Sequence, residues 1–159
     1  MITGDYYKDL RTTGCIAENI FPPLKGEKNE EYAREMRGTE SVALHIRRGD
    51  FVRLGWAYSL DVWALAVKAM DERVKNPVYF LFSDDLPFCR EHIEELGLLN
   101  HEVVFVEGNK KPNNYIDMQL MTICKHRIVP NSSFSFCAAL LRENREGVIL
   151  NLNSGREIF

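Results

Sequence analysis

Five apolar runs of strand length, alternating with segments of helical period, constrain the fold of this chain more than any other feature. The runs are SVALHI (41–46), VYFLF (78–82), VVFV (103–106), RIVP (127–130) and GVILNL (147–152). They are short, rich in β-branched or aromatic side chains and almost continuously apolar, as buried strands are. Between the first two, Leu60, Trp63, Val67, Met70 and Val74 fall on one stripe of a helix. Ile116, Leu120, Ile123 and Cys124 repeat that period, as do Phe136, Ala139 and Leu140. Strand and helix in rotation predict an α/β fold with a parallel sheet wrapped by helices, because each parallel pair needs a crossover that a helix supplies. With 159 residues, 45% apolar and 27% charged, the chain has the material for one packed domain.

Residues 1–40 are polar and mixed, with Pro22-Pro23 and Gly26 marking a turn before a short acidic-to-basic helix. They read as a lead-in, not a second domain. A formal charge of -3, with Lys and Arg dispersed among acids, gives no basic face for nucleic acid. Cys15, Cys89, Cys124 and Cys137 show no metal-ligand spacing and are expected to be reduced thiols. No apolar run reaches the roughly 18 residues of a membrane span, and the start lacks a signal peptide's apolar stretch, so the expectation is a soluble, cytoplasmic chain.

In open parallel sheets, ligands bind beyond the carboxyl ends of the strands. Here those ends are unusually polar: His45-Ile46-Arg47-Arg48-Gly49-Asp50, Ser83-Asp84-Asp85, Glu107-Gly108-Asn109 and Asn131-Ser132-Ser133. Four exits are therefore expected to converge on one crevice. By strand alternation Val42, Leu44 and Ile46 share one face, while Ala43, His45 and Arg47 share the other, and Gly49 permits a sharp turn. Arg47 offers a planar fork of donors suited to phosphate oxygens; a plain ion pair with Asp50 is the competing reading. Arg48-Gly49-Asp50 spells an adhesive tripeptide, but adhesive use is not expected of a segment that directly follows a core strand in a chain without export signals.

Asp84 or Asp85 fits a helix cap before Pro87, or a carboxylate accepting paired N–H bonds from a guanine edge; as metal ligands two adjacent acids are a weak signal. Asn131, Ser132 and Ser133 fit both an N-cap and an anion cradle at a helix start. The same three residues match a glycosylation pattern, read here as chance.

HIRRGDFV, VYFLFSDD and DMQLMTICKHRIVPNSSFSF, in that order, resemble the three motifs of the bacterial α-1,2-fucosyltransferases, inverting enzymes that move fucose from GDP-fucose to a galactoside. The resemblance covers Ser41 to about Leu141. It implies a two-lobed enzyme with Rossmann-like halves, of which residues 41–159 form the GDP-sugar-binding domain and residues 1–40 a remnant of the amino-terminal lobe. The family is nearly twice as long and has paired tryptophans where this chain has Phe136-Cys137. Carried over, it puts Arg47 on the pyrophosphate with His45, Arg48 and Asp50 supporting it, Asp84 or Asp85 near the guanine, and Ser132 and Ser133 near the β-phosphate, with Ser83 and Asn131 also among the donor-binding residues.

The implied reaction is a single displacement, with Arg47 and Asp50 catalytic, Asp50 or Glu107 as candidate base, and no metal or other cofactor. The expected partners are GDP-fucose, a galactose-containing oligosaccharide or polysaccharide acceptor, a second copy of the chain, and the inner face of the membrane as a peripheral contact. The competing functional expectation is a non-catalytic module that binds GDP or a GDP-sugar.

Overall fold

The computed structural model describes residues 20–152; Cys15 and both ends of the chain lie outside that range. In chain order the elements are α1 (Glu27–Gly38), β1 (Glu40–Ile46), α2 (Gly49–Leu54), α3 (Leu60–Asp71) and β2 (Pro77–Ser83). There follow α4 (Leu86–Glu91), β3 (Glu102–Phe105), α5 (Tyr115–Ile123), β4 (His126–Val129), α6 (Ser133–Leu140) and β5 (Ile149–Asn151). All five expected strands form, within two residues of their predicted ends. The sheet is wholly parallel in the order β3-β2-β1-β4-β5, with Ala43 opposite Phe80 on one side and Arg127 on the other. This is the Rossmann-like α/β arrangement that the alternation predicted.

Strand alternation sorts β1 into two packed layers. Val42, Leu44 and Ile46 join Tyr79, Leu81 and Ile128 against Trp63, Val67 and Met70 of α3 and Cys89 of α4. Ala43, Phe80 and Phe82 face the opposite layer of α1, α5 and α6, where Tyr32, Met36, Leu120 and Ala138 are buried. Residues Glu27–Gly38 thus help to close the same core as the sheet. Burying side chains of the size of Leu44 or Phe80, both fully buried, contributes about 1.5–3 kcal/mol each.

Two expectations change in detail. The buried face of α6 is Ser135, Ala138 and Ala139, whereas Phe136 and Leu140 are half-buried. Small side chains let this short helix lie close to its neighbours, and the aromatic ring is turned to its flank. A helix, α2, also starts directly at Gly49 in place of an open turn, and none of its residues is buried.

Helix ends explain two buried cations. Arg127 donates to the Cys124 carbonyl at the end of α5, and Arg142 to the Ala139 carbonyl near the end of α6 at 2.9 Å. Cations suit the negative end of a helix dipole. The cysteines Cys89, Cys124 and Cys137 are free, and burial pushes the Cys124 thiol up to about 12, so it stays protonated. Close approach fixes Gly147: a Cβ there would lie 1.5 Å from the Lys125 carbonyl oxygen, blocking the entry of β5 beside β4.

Candidate functional site

The strand order reverses between β1 and β4, the place where parallel sheets of this kind open a crevice. The exits of β2, β1 and β4 adjoin there. The β3 exit does not: it lies at the sheet edge, and Asn109 exchanges amide bonds with Asn29 at 2.9 Å and donates to Asp117 at 2.8 Å. Convergence of four exits is thus corrected to three, because β3 is separated from β1 by the whole width of β2.

At the β1 exit the Arg47 guanidinium donates to Asp50 Oδ1 at 2.8 Å and forms an ion pair with Asp84 Oδ2 at 3.0 Å. The competing reading of Arg47 as an Asp50 partner is therefore present in the structure, with a second carboxylate added. The Arg47 side chain still keeps 38% of its surface in solvent. Asp84 also accepts from the Arg48 backbone N–H at 2.8 Å, so one carboxylate at the β2 exit holds both arginines in position.

Gly49 is required by this contact: a Cβ there would stand 2.4 Å from Asp84 Oδ2. Its role is to admit the carboxylate. The conformational freedom expected of it is not what the site uses.

Asp85 performs the capping role, accepting from the Phe88 N–H at 3.3 Å at the start of α4. Its other oxygen meets Arg48 Nε at 3.3 Å, and the Arg48 guanidinium lies 3.2 Å from the Phe88 ring centre. Ser83 ties the strands together by donating to the Ile46 carbonyl at 2.7 Å and accepting from the Asp85 N–H at 3.0 Å.

His45 points into the α6 layer. Its Nδ1 is 2.5 Å from Ser135 Oγ, and its ring lies 5.4 Å from that of Phe134. Burial pulls the imidazole down to about 4, with the Asp84 charge opposing and Arg47 adding to the effect. His45 is therefore neutral at pH 7 and holds the first turn of α6 against the β1 exit.

Ser132 takes the N-cap position of α6 in an extended conformation, but its side chain makes no capping bond; it is buried, whereas Ser133 is exposed. The first N–H groups of a helix have no intrahelical partner and carry its positive dipole end, so this turn can receive an anion. Asn131 is turned away, donating to the Trp56 carbonyl at 2.8 Å.

Sequence reasoning did not single out Phe51, Trp56, Phe88, Phe134 or Ser135. Each of them braces a residue that it did single out. The signal was present only as aromatic or hydroxyl residues close to the polar exits, and the partners become visible when different elements meet.

Glu107 is held by Arg90 and by Lys28 at 4.0 Å, at the edge of the sheet. Asp50 is the carboxylate beside Arg47. Among the described residues, no group of three His, Cys, Asp or Glu side chains is arranged to hold a metal. No helix among them is long and apolar enough to cross a membrane. A shallow depression of about 540 Å³, lined by Asp71, Lys75, Asn76 and His101, lies at the opposite, amino-terminal ends of β2 and β3. It is remote from the three joined exits.

The sequence profile of glycosyl transferase family 11 matches residues 19–158. The chain is similar to an Escherichia coli alpha-1,2-colitosyltransferase, 33% identical over 138 residues, or 82% of this chain and 47% of that protein. It is also similar to the Bos taurus galactoside 2-alpha-L-fucosyltransferase SEC1, 29% identical over 72% of this chain and 33% of that protein. The Ateles belzebuth galactoside alpha-(1,2)-fucosyltransferase 1 is 31% identical over 63% of this chain and 28% of that protein. The chain thus spans about half, or less, of the length of these curated relatives. With the profile match running from before α1 to beyond β5, across the sheet that carries the three joined exits, the chain belongs to glycosyl transferase family 11.

Proposed function

We propose that this chain binds GDP-fucose at the joined exits of β1, β2 and β4 and serves an α-1,2-fucosyltransferase, moving L-fucose with inversion to a hydroxyl of a β-galactoside. The observation that carries the reading is Arg47, fixed by Asp84 at the strand-order reversal yet still open to solvent. Family membership and the printed names of the relatives support the reaction class.

In this reading the diphosphate lies over Arg47 and the first turn of α6, with Ser132 and Ser133 beside it. Asp85, more exposed than Asp84, meets a guanine edge with the lone pairs that its bonds to the Phe88 N–H and to Arg48 leave over. The acceptor oxygen attacks the anomeric carbon while the bond from that carbon to the β-phosphate oxygen breaks, and GDP leaves with the electron pair. Negative charge grows on the β-phosphate, where a fixed guanidinium stabilises the transition state more than the ground state. Asp50 is released when phosphate takes its place on Arg47, and it is then the nearest carboxylate to receive the acceptor proton.

Calorimetric titration of GDP, paired with transfer assays from GDP-fucose to lactose, tests the reading. Binding with transfer is the expected result. Binding without transfer reduces the chain to a GDP-binding module, and failure to bind GDP removes both readings. Because the E. coli relative is named for colitose, the same assay includes a colitosyl nucleotide donor.

A further inference from the structure

Trp56 is one of two tryptophans in the chain, and the pair could hardly be placed more differently. Trp63 is 3% exposed in the core, whereas Trp56 keeps 56% of its surface in solvent. An isolated exposed apolar residue needs no explanation, but this indole is carried on a main chain tied on both sides. The Trp56 N–H donates to the Phe51 carbonyl at 2.8 Å, behind the left-handed Gly55 that ends α2. Its carbonyl accepts from Asn131 at 2.8 Å. Both main-chain groups of Trp56 are therefore tied, one to the β1 exit and one to the β4 exit.

The indole is also connected to the proposed phosphate ligand. It stands edge-on to Phe51 at 5.8 Å between ring centres, and the Arg47 guanidinium lies 5.8 Å from the same Phe51 ring. One ring thus separates the indole from Arg47. Asp84 and Asp85 stand on the β2 side of Arg47, while Asn131 and Trp56 stand on the β4 side. With the base on the β2 side, the sugar end of a diphosphate on Arg47 is directed to the β4 side.

We infer that Trp56 is a stacking platform for a pyranose ring, either the donor's sugar or the acceptor galactoside. A pyranose has an apolar C–H face and polar edges, which suits an amphipathic indole that is open to water on an anchored main chain. The inference rests on the GDP-sugar reading of the crevice and adds a sugar-binding residue to it.

Fluorescence tests it on the whole chain, because Trp63 is a buried constant and the difference between the native chain and Trp56→Phe isolates Trp56. The free chain is expected to show solvent-exposed emission from Trp56, unchanged by GDP alone. A shift or quench with GDP-fucose identifies the donor sugar, and one with lactose in the presence of GDP identifies the acceptor. Trp56→Ala is expected to weaken that sugar's binding about tenfold, with GDP affinity retained. A full response to GDP alone means that the base occupies the indole and overturns the inference. Blue-shifted emission in the free chain means that protein already covers it, which also overturns it. Calorimetric GDP binding with a silent Trp56 in every titration sinks this inference alone, whereas absence of GDP binding sinks the function reading beneath it.

Discussion

The guanidinium of Arg47 faces two carboxylates, and its use as a phosphate ligand depends on how firmly each one holds it. The Asp50 pair is exposed on both sides, 38% and 43%, and such pairs contribute about 0–1 kcal/mol. In the proposed role a diphosphate, with more charge and matched bidentate geometry, is expected to displace Asp50. Asp84 is less exposed and has a second bond to the Arg48 main chain, so it remains as the bracket. Arg47→Lys keeps the charge and loses the fork: turnover should fall about 100 to 1,000-fold, and near-normal turnover removes Arg47 from the role.

Asp84→Asn removes the charge and leaves an acceptor for only one of two donors, the Arg47 guanidinium and the Arg48 N–H, and Gly49→Ala pushes the same carboxylate aside. Each should weaken GDP binding and leave thermal stability nearly unchanged. The double variant should be no worse than the worse single one, because both act through one contact. Losses that simply add in calorimetry would show that the bracket is not shared.

At the scale of elements, the clearest pH response belongs to α5. Burial raises the Asp117 carboxyl to about 6, against the partial relief of its bond from Asn109. A raised acid binds its proton more tightly in the folded chain than in the unfolded one. Its contribution is therefore fully present below about pH 4, the ordinary range, and is lost as pH rises through about 6. Asp117→Asn keeps an acceptor for Asn109 and removes the buried charge. It should be more stable than the native chain by about 3 kcal/mol at pH 7, the gain shrinking toward zero near pH 4. Urea unfolding at a series of pH values measures this; a gain that does not change with pH refutes it.

The elements also show where a sequence reading stops. The helical stripe of Leu60, Trp63, Val67 and Met70 predicted α3 because apolar spacing alone defines its buried face. The same logic misplaced the face of α6, where Ser135 is buried because His45 of another element meets it. Spacing ranks side chains by hydrophobicity; it cannot anticipate a polar one that is satisfied by a residue of the facing strand.

For the whole molecule, ligand linkage gives the most direct test. Anything that binds only the folded chain stabilises it, by about 2.7 kcal/mol at a hundredfold excess over Kd. GDP should therefore raise the melting temperature of the native chain, and Arg47→Ala should abolish most of the rise. An equal rise in both would place the nucleotide elsewhere.

The sequence by itself determined the α/β class, the five strands, the polar strand exits and the identity of the arginine proposed to hold phosphate. These follow from local periodicity and from residue chemistry, which need no knowledge of distant contacts. Only the tertiary structure decided that β3 stands apart at the edge, that Asp84 serves as a bracket with Gly49 admitting it, that His45 is a neutral strut, and that Trp56 is mounted between two exits. Strand order and long-range contacts are set by how whole layers pack, and residues 36 or 75 positions apart, such as Arg48 with Asp84 or Trp56 with Asn131, meet only when that packing is complete.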